Sequence, residues 1–118
     1  MTRSLLRRLG KTNIEIGEEF NIIEESDHVT TYLVKTNRAD FRRDIQRAIE
    51  GIKPDAFKAS IMIRGGRNVT LEEATLAIGE ICTRLPPKAL LVWGLTRESK
   101  MHCDGMEIRC VVGYKKGG

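Results

Sequence analysis

Histidine, cysteine, proline and aromatic residues are all scarce in this chain. Of 118 residues, two are histidines, three cysteines, three prolines, and 5% are aromatic. Neither His28 nor His102 sits in a nucleophile motif, so nucleophile–base catalysis is not expected, and His28 reads as the entry to a strand. No apolar run nears the ~20 residues that a bilayer-spanning helix requires, and no membrane role is expected. The basic start, residues 1–9, lacks a continuous apolar stretch and a small-residue cleavage site, so it does not read as a secretory signal. An odd number of cysteines, in a chain long enough to build its own core, argues for free thiols in a reducing, cytoplasmic setting rather than a disulfide framework. Met101, His102 and Cys103 offer soft ligands, but the short Cys-x-x-Cys pairing of a zinc or copper site is missing. Nor is there a Gly-rich loop through which backbone N–H groups could approach phosphate. No metal or cofactor is expected.

Charge is present in both signs. Lysine and arginine total 20 and aspartate and glutamate 16, a net charge of +4. The excess permits an acidic partner without demanding one. Basic positions such as Arg38, Arg42, Arg43, Arg47, Arg64 and Arg67 are interleaved with acids. Few aromatics are available as stacking platforms for bases. A solvated mixed-charge surface is the plain reading.

The apolar pattern divides the chain into a short N-terminal extension, residues 1–28, and an α/β domain, residues 29–118. In the extension, residues 12–16 alternate like a strand. Phe20, Ile22 and Ile23 form an apolar patch, and residues 24–27 read as a polar turn. Residues 29–35 are rich in β-branched types and read as a strand. Thr36 or Asn37 can cap the helix that follows, in which Phe41, Ile45, Ala48, Ile49 and Ile52 recur at helical spacing. Gly51 and Pro54 end it. Phe57, Ala59, Ile61 and Ile63 alternate with Lys58, Ser60 and Met62, a strand with one buried face.

Two glycines, Gly65 and Gly66, close that strand. Thr70 and Glu73 then have the spacing of a capping box, and a helix is expected over residues 71–85. Its inner face carries Leu71, Ala74, Ala77, Ile78, Ile81, Cys82 and Leu85, and Pro86 and Pro87 forbid its continuation. Residues 89–95 are apolar on both sides and read as a strand covered on both faces. An Asp104-Gly105 turn leads to a last strand over residues 106–114, expected to form a hairpin with the one before it. The order strand-helix-strand-helix-strand-strand is that of a two-layer α/β (α+β) sandwich. It has a four-stranded mixed sheet with two helices on one face. The opposite face should carry Lys58, Ser60, Met62 and Trp93, and is solvated, covered by the N-terminal extension, or a partner surface.

Several segments in this order resemble the C-terminal domain of the FtsZ branch of the FtsZ/tubulin family. They are Asn37-Arg38-Ala39, Ile61-Met62-Ile63-Arg64-Gly65-Gly66, Thr70-Leu71-Glu72-Glu73-Ala74, Pro87-Lys88-Ala89-Leu90-Leu91-Val92-Trp93-Gly94 and Glu107-Ile108-Arg109-Cys110-Val111-Val112-Gly113. The resemblance runs over residues 29–114. In that family GTP sits in a separate domain with a glycine-rich loop, which nothing here resembles. The family's synergy loop carries an Asn followed by two acids. Asn21, Glu24 and Asp27 echo it with the wrong offset, so a working loop is not expected. The resemblance therefore implies a non-catalytic docking or scaffold module, tied to cell division or tubulin-like filament assembly. Its partner would be a tubulin-like GTPase or a second copy of the chain. The candidate contact residues are Lys58, Arg64, Gly65, Gly66, Arg67 and Trp93. Two alternatives remain: a small basic nucleic-acid binder with the strand–helix order of Alba-type chromatin proteins, and a trimer of chorismate-mutase-like fold. The terminal Gly117-Gly118 reads as a plain tail, since the element order is not that of a ubiquitin-like fold.

Overall fold

The computed structural model describes residues 22–115. The expectations for residues 1–21 and for the last three residues lie outside it. Six elements follow one another: β1 (His28–Asn37), α1 (Phe41–Ala48), β2 (Ala56–Gly65), α2 (Leu71–Cys82), β3 (Leu90–Arg97) and β4 (Gly105–Tyr114). From β1 onward the element order, the mixed sheet and the placing of both crossover helices on one face are those expected from the sequence. Phe41 and Ile45 of α1 share one core with Ile78 and Ile81 of α2 and with Ile61, Ile63 and Ile108 of the sheet.

The strands lie in the order β1-β4-β2-β3. β2 and β3 are parallel neighbours, while β4 runs antiparallel to both β1 and β2. The expected β3–β4 hairpin is therefore absent. The crossover from β1 through α1 sets β2 down one strand-width away, and β4 fills the gap. Its burial follows: Ile108, Cys110 and Val112 sit on the helix side, and Val111 is buried on the other. A strand with neighbours on both sides exposes no backbone edge, which suits a strand buried on both faces around Cys110, Val111 and Val112.

Local chemistry explains the helix boundaries. At α2 the Thr70 hydroxyl accepts from the Glu73 N–H at 3.0 Å, and the Glu73 carboxylate accepts from the Thr70 N–H at 2.9 Å, the reciprocal capping box expected from the spacing. The helix ends at Cys82 rather than Leu85. From Thr83 to Leu85 each N–H bonds the carbonyl three residues back, a tighter final turn before Pro86. Leu71, expected inside, is exposed, because it begins the helix beyond the covered part of the core. At α1 the sequence suggested Thr36 or Asn37 as the cap. Instead β1 extends to Asn37, whose side-chain oxygen accepts from the Ala39 and Asp40 N–H groups at 2.9 Å and turns the chain into the helix. α1 stops at Ala48, ahead of Gly51, yet Ile49 and Ile52 remain buried beyond its end.

Register overturns one expected facing. Trp93 lies beside Ile61, and Ile61 beside Cys110, so all three point toward the helices. Trp93 is only 4% exposed. It shares no face with Lys58, Ser60 and Met62. β3 is likewise covered on its helix side only: Leu90, on the outer side, is exposed and Val92 half-buried.

The polar turn expected over residues 24–27 is also corrected. Residues 22–25 are helical, Ile22 is buried, and the Ser26 hydroxyl donates to the Ile22 carbonyl. This segment crosses the outer sheet face at Gly113. A Cβ on Gly113 would overlap the Ser26 hydroxyl and lie 3.2 Å from an Ile22 methyl. The missing side chain is what lets the segment approach. Among the described residues no helix is long and apolar enough to cross a membrane.

Candidate interaction surface

The Arg64-Gly65-Gly66-Arg67 corner packs against the loop that carries the chain from β3 into β4. The Gly66 N–H donates to the Gly105 carbonyl at 3.0 Å, the Asn68 N–H to the Cys103 carbonyl at 2.9 Å, and the Glu98 N–H to the Gly65 carbonyl at 3.0 Å. The Arg97 guanidinium donates to the Val69 and Gly66 carbonyls. A Cβ on Gly66 would fall on the His102 carbonyl oxygen and 2.6 Å from that of Cys103. The paired glycines thus join two loops, and their N–H groups are spent on carbonyls rather than turned outward to an anion.

Several charges around this corner are paired. The Arg64 guanidinium lies 2.8 Å from Glu98 and 3.4 Å from Glu107. Its hydrogen bond holds the Glu98 carboxyl below the usual carboxylate range, helped by a backbone bond from Lys100. Arg38 reaches from the start of α1 to Glu73 of α2 at 2.9 Å and to Asp104 at 3.6 Å. Asp104 also accepts from the Asn68 amide at 2.9 Å, the first cause of its lowered pKa. Further along, Arg42 meets Glu80 at 2.8 Å, while Arg43 sits beside Asp40 and Asp44. Each exposed pair contributes little to stability, but together they offset the arginines that a nucleic-acid reading would need unopposed.

The six residues singled out from sequence do not form one site. Arg64, Gly65, Gly66 and Arg67 share the corner at one end of the sheet. Lys58 lies at the other end of β2, paired with Glu25 of the helical segment and 5.7 Å from the Phe57 ring centre. Trp93 is inside the core. Between the two ends, the outer sheet face holds a groove of about 350 Å³ lined by Leu33, Lys35, Met62, Arg64, Glu107 and Arg109. Leu33, 71% exposed, is the residue that the sequence reading passed over. Its signal was available, since the alternation of β1 puts it on the same side as Thr31 and Lys35, away from Tyr32 and Val34.

The sulfur and histidine positions lead elsewhere. Cys110 is buried in the core, which pushes its thiol up to about 12, and burial pushes Cys82 up to about 11. Both behave as small core residues. Among the described residues no group of three or more His, Cys, Asp or Glu side chains converges as a metal site would require. His28 opens β1, its ring 5.8 Å from that of Tyr114.

No protein-family model matches the sequence, and no curated protein matches it. Solved structures do. An empty FtsZ dimer from M. jannaschii superposes with a TM-score of 0.69 at 18% identity, over 86% of this chain and 31% of that one. A mutant FtsZ from M. jannaschii gives 0.71 at 17% identity, over 88% and 33%. GDP-bound CetZ1 from Haloferax volcanii gives 0.58 at 10% identity, over 88% and 34%. The chain spans about a third of the length of these proteins. At such identities the likeness is one of fold: the described part of the chain has the fold of the C-terminal domain of the FtsZ/tubulin family.

Proposed function

We propose that this chain is a non-catalytic protein-interaction module that docks on a tubulin-like GTPase, in the cytoplasm, and takes part in filament assembly or cell division. The observation that carries the reading is the fold. A whole interaction-sized domain is similar to a third of an FtsZ chain, and it presents an outer sheet face that the described residues cover only at the Gly113 end. A sheet face with a groove and an exposed leucine is suited to packing against another protein. Contacts would involve Arg64 and Arg67 at the corner, Lys58 at the far end, and the groove between them. Gly65 and Gly66 would shape that corner, and Trp93 would act only as core. The paired arginines favour protein over nucleic acid, since ion-paired guanidinium groups release few counterions.

Two measurements test this reading together. A labelled-GTP titration of the isolated chain should show no micromolar binding, and the chain should co-sediment with filaments of a purified FtsZ-type GTPase. Micromolar GTP affinity would remove the non-catalytic half. Absence from the filament pellet at every protein ratio would remove the docking half.

A further inference from the structure

β1 ends the sheet, with a strand on one side only among the described residues. Its ten residues pair with β4 in unbroken register. Natural edge strands are usually blunted by proline, bulges, brevity or several charges. This one has no proline or register shift, and Lys35 is its only lysine or arginine.

The pairing also tells which backbone groups face outward. The Arg38 N–H bonds the Asp104 carbonyl, and those two residues continue the β1–β4 register. Antiparallel bonding alternates by two, so Thr36, Val34, Tyr32 and Thr30 turn their N–H and C=O groups toward β4. Lys35, Leu33, Thr31 and Val29 turn theirs to the open edge, while the Asn37 carbonyl is taken by the Asp40 N–H at 3.3 Å. These same residues carry their side chains on the outer face, where Leu33 is 71% exposed.

We propose that the β1 edge is a homodimer interface: two copies join β1 to β1 antiparallel about a two-fold axis at Leu33, forming one continuous eight-stranded sheet. This rests on reading the chain as an interaction module and names one surface and its partner. The edge is self-complementary in this register. Leu33 meets Leu33 of the second copy as a hydrogen-bonded pair, Thr31 faces Lys35, and Tyr32 faces Val34. No like charges stand opposite each other, because Lys35 lies two residues from the axis. The leucine pair would wall the groove beside Met62 and Arg109, so the edge and the outer face become one surface. The contact is narrow, which places it among weak, concentration-dependent interfaces.

Sedimentation equilibrium of the full chain from low to high micromolar concentration should show mass rising from one chain toward two. Leu33→Lys, a change at an exposed side chain, should weaken the dimer about tenfold or more while leaving the circular-dichroism melt unchanged. Register is read by oxidative trapping in a Cys103→Ser background. Leu33→Cys should cross-link, since hydrogen-bonded antiparallel partners lie about 5.5 Å apart between Cα atoms. Lys35→Cys should not, because each copy would face Thr31 of the other. A monomer at all concentrations, a dimer indifferent to Leu33→Lys, or equal trapping or none at both positions would overturn the proposal. A chain that stays monomeric but still co-sediments with FtsZ-type filaments removes this inference alone.

Discussion

Replacing Gly66 by alanine should be among the most damaging small changes available in this protein. The added methyl would fall on the His102 carbonyl oxygen and 2.6 Å from the Cys103 carbonyl oxygen, closer than real Cβ atoms come. The obstacle is backbone, so no side chain can rotate away. The corner at Gly65–Gly66 and the loop before β4 must separate instead. That separation strains the Gly66 N–H to Gly105 bond at 3.0 Å and the Asn68 N–H to Cys103 bond at 2.9 Å. Each lost hydrogen bond costs about 1 kcal/mol, and overpacking adds about 1–3 kcal/mol. With one of the two bonds lost, the expected loss is about 2–4 kcal/mol in total. With a mid-range urea slope of about 2 kcal/mol per molar, the unfolding midpoint should fall by roughly 1–2 M. Gly79→Ala is the internal control. It sits in the middle of α2 with nothing within 4 Å of the added carbon, and should stabilise by about 0.5–1 kcal/mol through helix propensity. Urea unfolding followed by circular dichroism reads both. If Gly66→Ala kept the wild-type midpoint, or the two variants moved in the same direction, the close-approach reasoning would be wrong.

Acid should loosen the contact between the two helices. Hydrogen bonds from Arg42 and then Gln46 hold the Glu80 carboxyl below its ordinary value of 4.5. A lowered folded pKa gives stability that is whole above the unfolded value and lost as pH falls through the folded one. The urea midpoint should therefore drop below about pH 4.5, and Glu80→Gln should show a shallower drop; identical slopes would discount the pair. The thiols should also separate by reactivity. With Cys110 and Cys82 pushed up to about 12 and about 11, only half-buried Cys103 should react quickly with a disulfide reagent at pH 8, and all three after unfolding. Two or more fast thiols in the native protein would contradict the core placement.

Much of the fold could be read from local pattern. The capping box at Thr70 and Glu73, the alternation at Ala59, Ile61 and Ile63, and the apolar stripe of α1 all depend on neighbours within a few residues. Periodicity reports such neighbours directly. The candidate site was less legible. Arg64 and Gly66 share a corner because the loop before β4 packs there, and Lys58 lies a strand-length away. Leu33 was missed because one leucine in a threonine-rich strand looks ordinary until the strand is known to be an edge.

Residue order alone determined which side chains share a face within each element, where α2 starts, and why no run of the chain suits a membrane. It could not determine strand order. The β3-to-β4 loop is short enough for a hairpin, yet β4 enters the gap between β1 and β2, where both of its edges are bonded and its apolar side chains are covered. That choice also decided that residues 22–25 coil over a central strand at Gly113, while the β2–β3 register decided that Trp93 faces the helices. Each outcome depends on partners distant in the chain, and the free energy of burying two surfaces together belongs to neither segment alone.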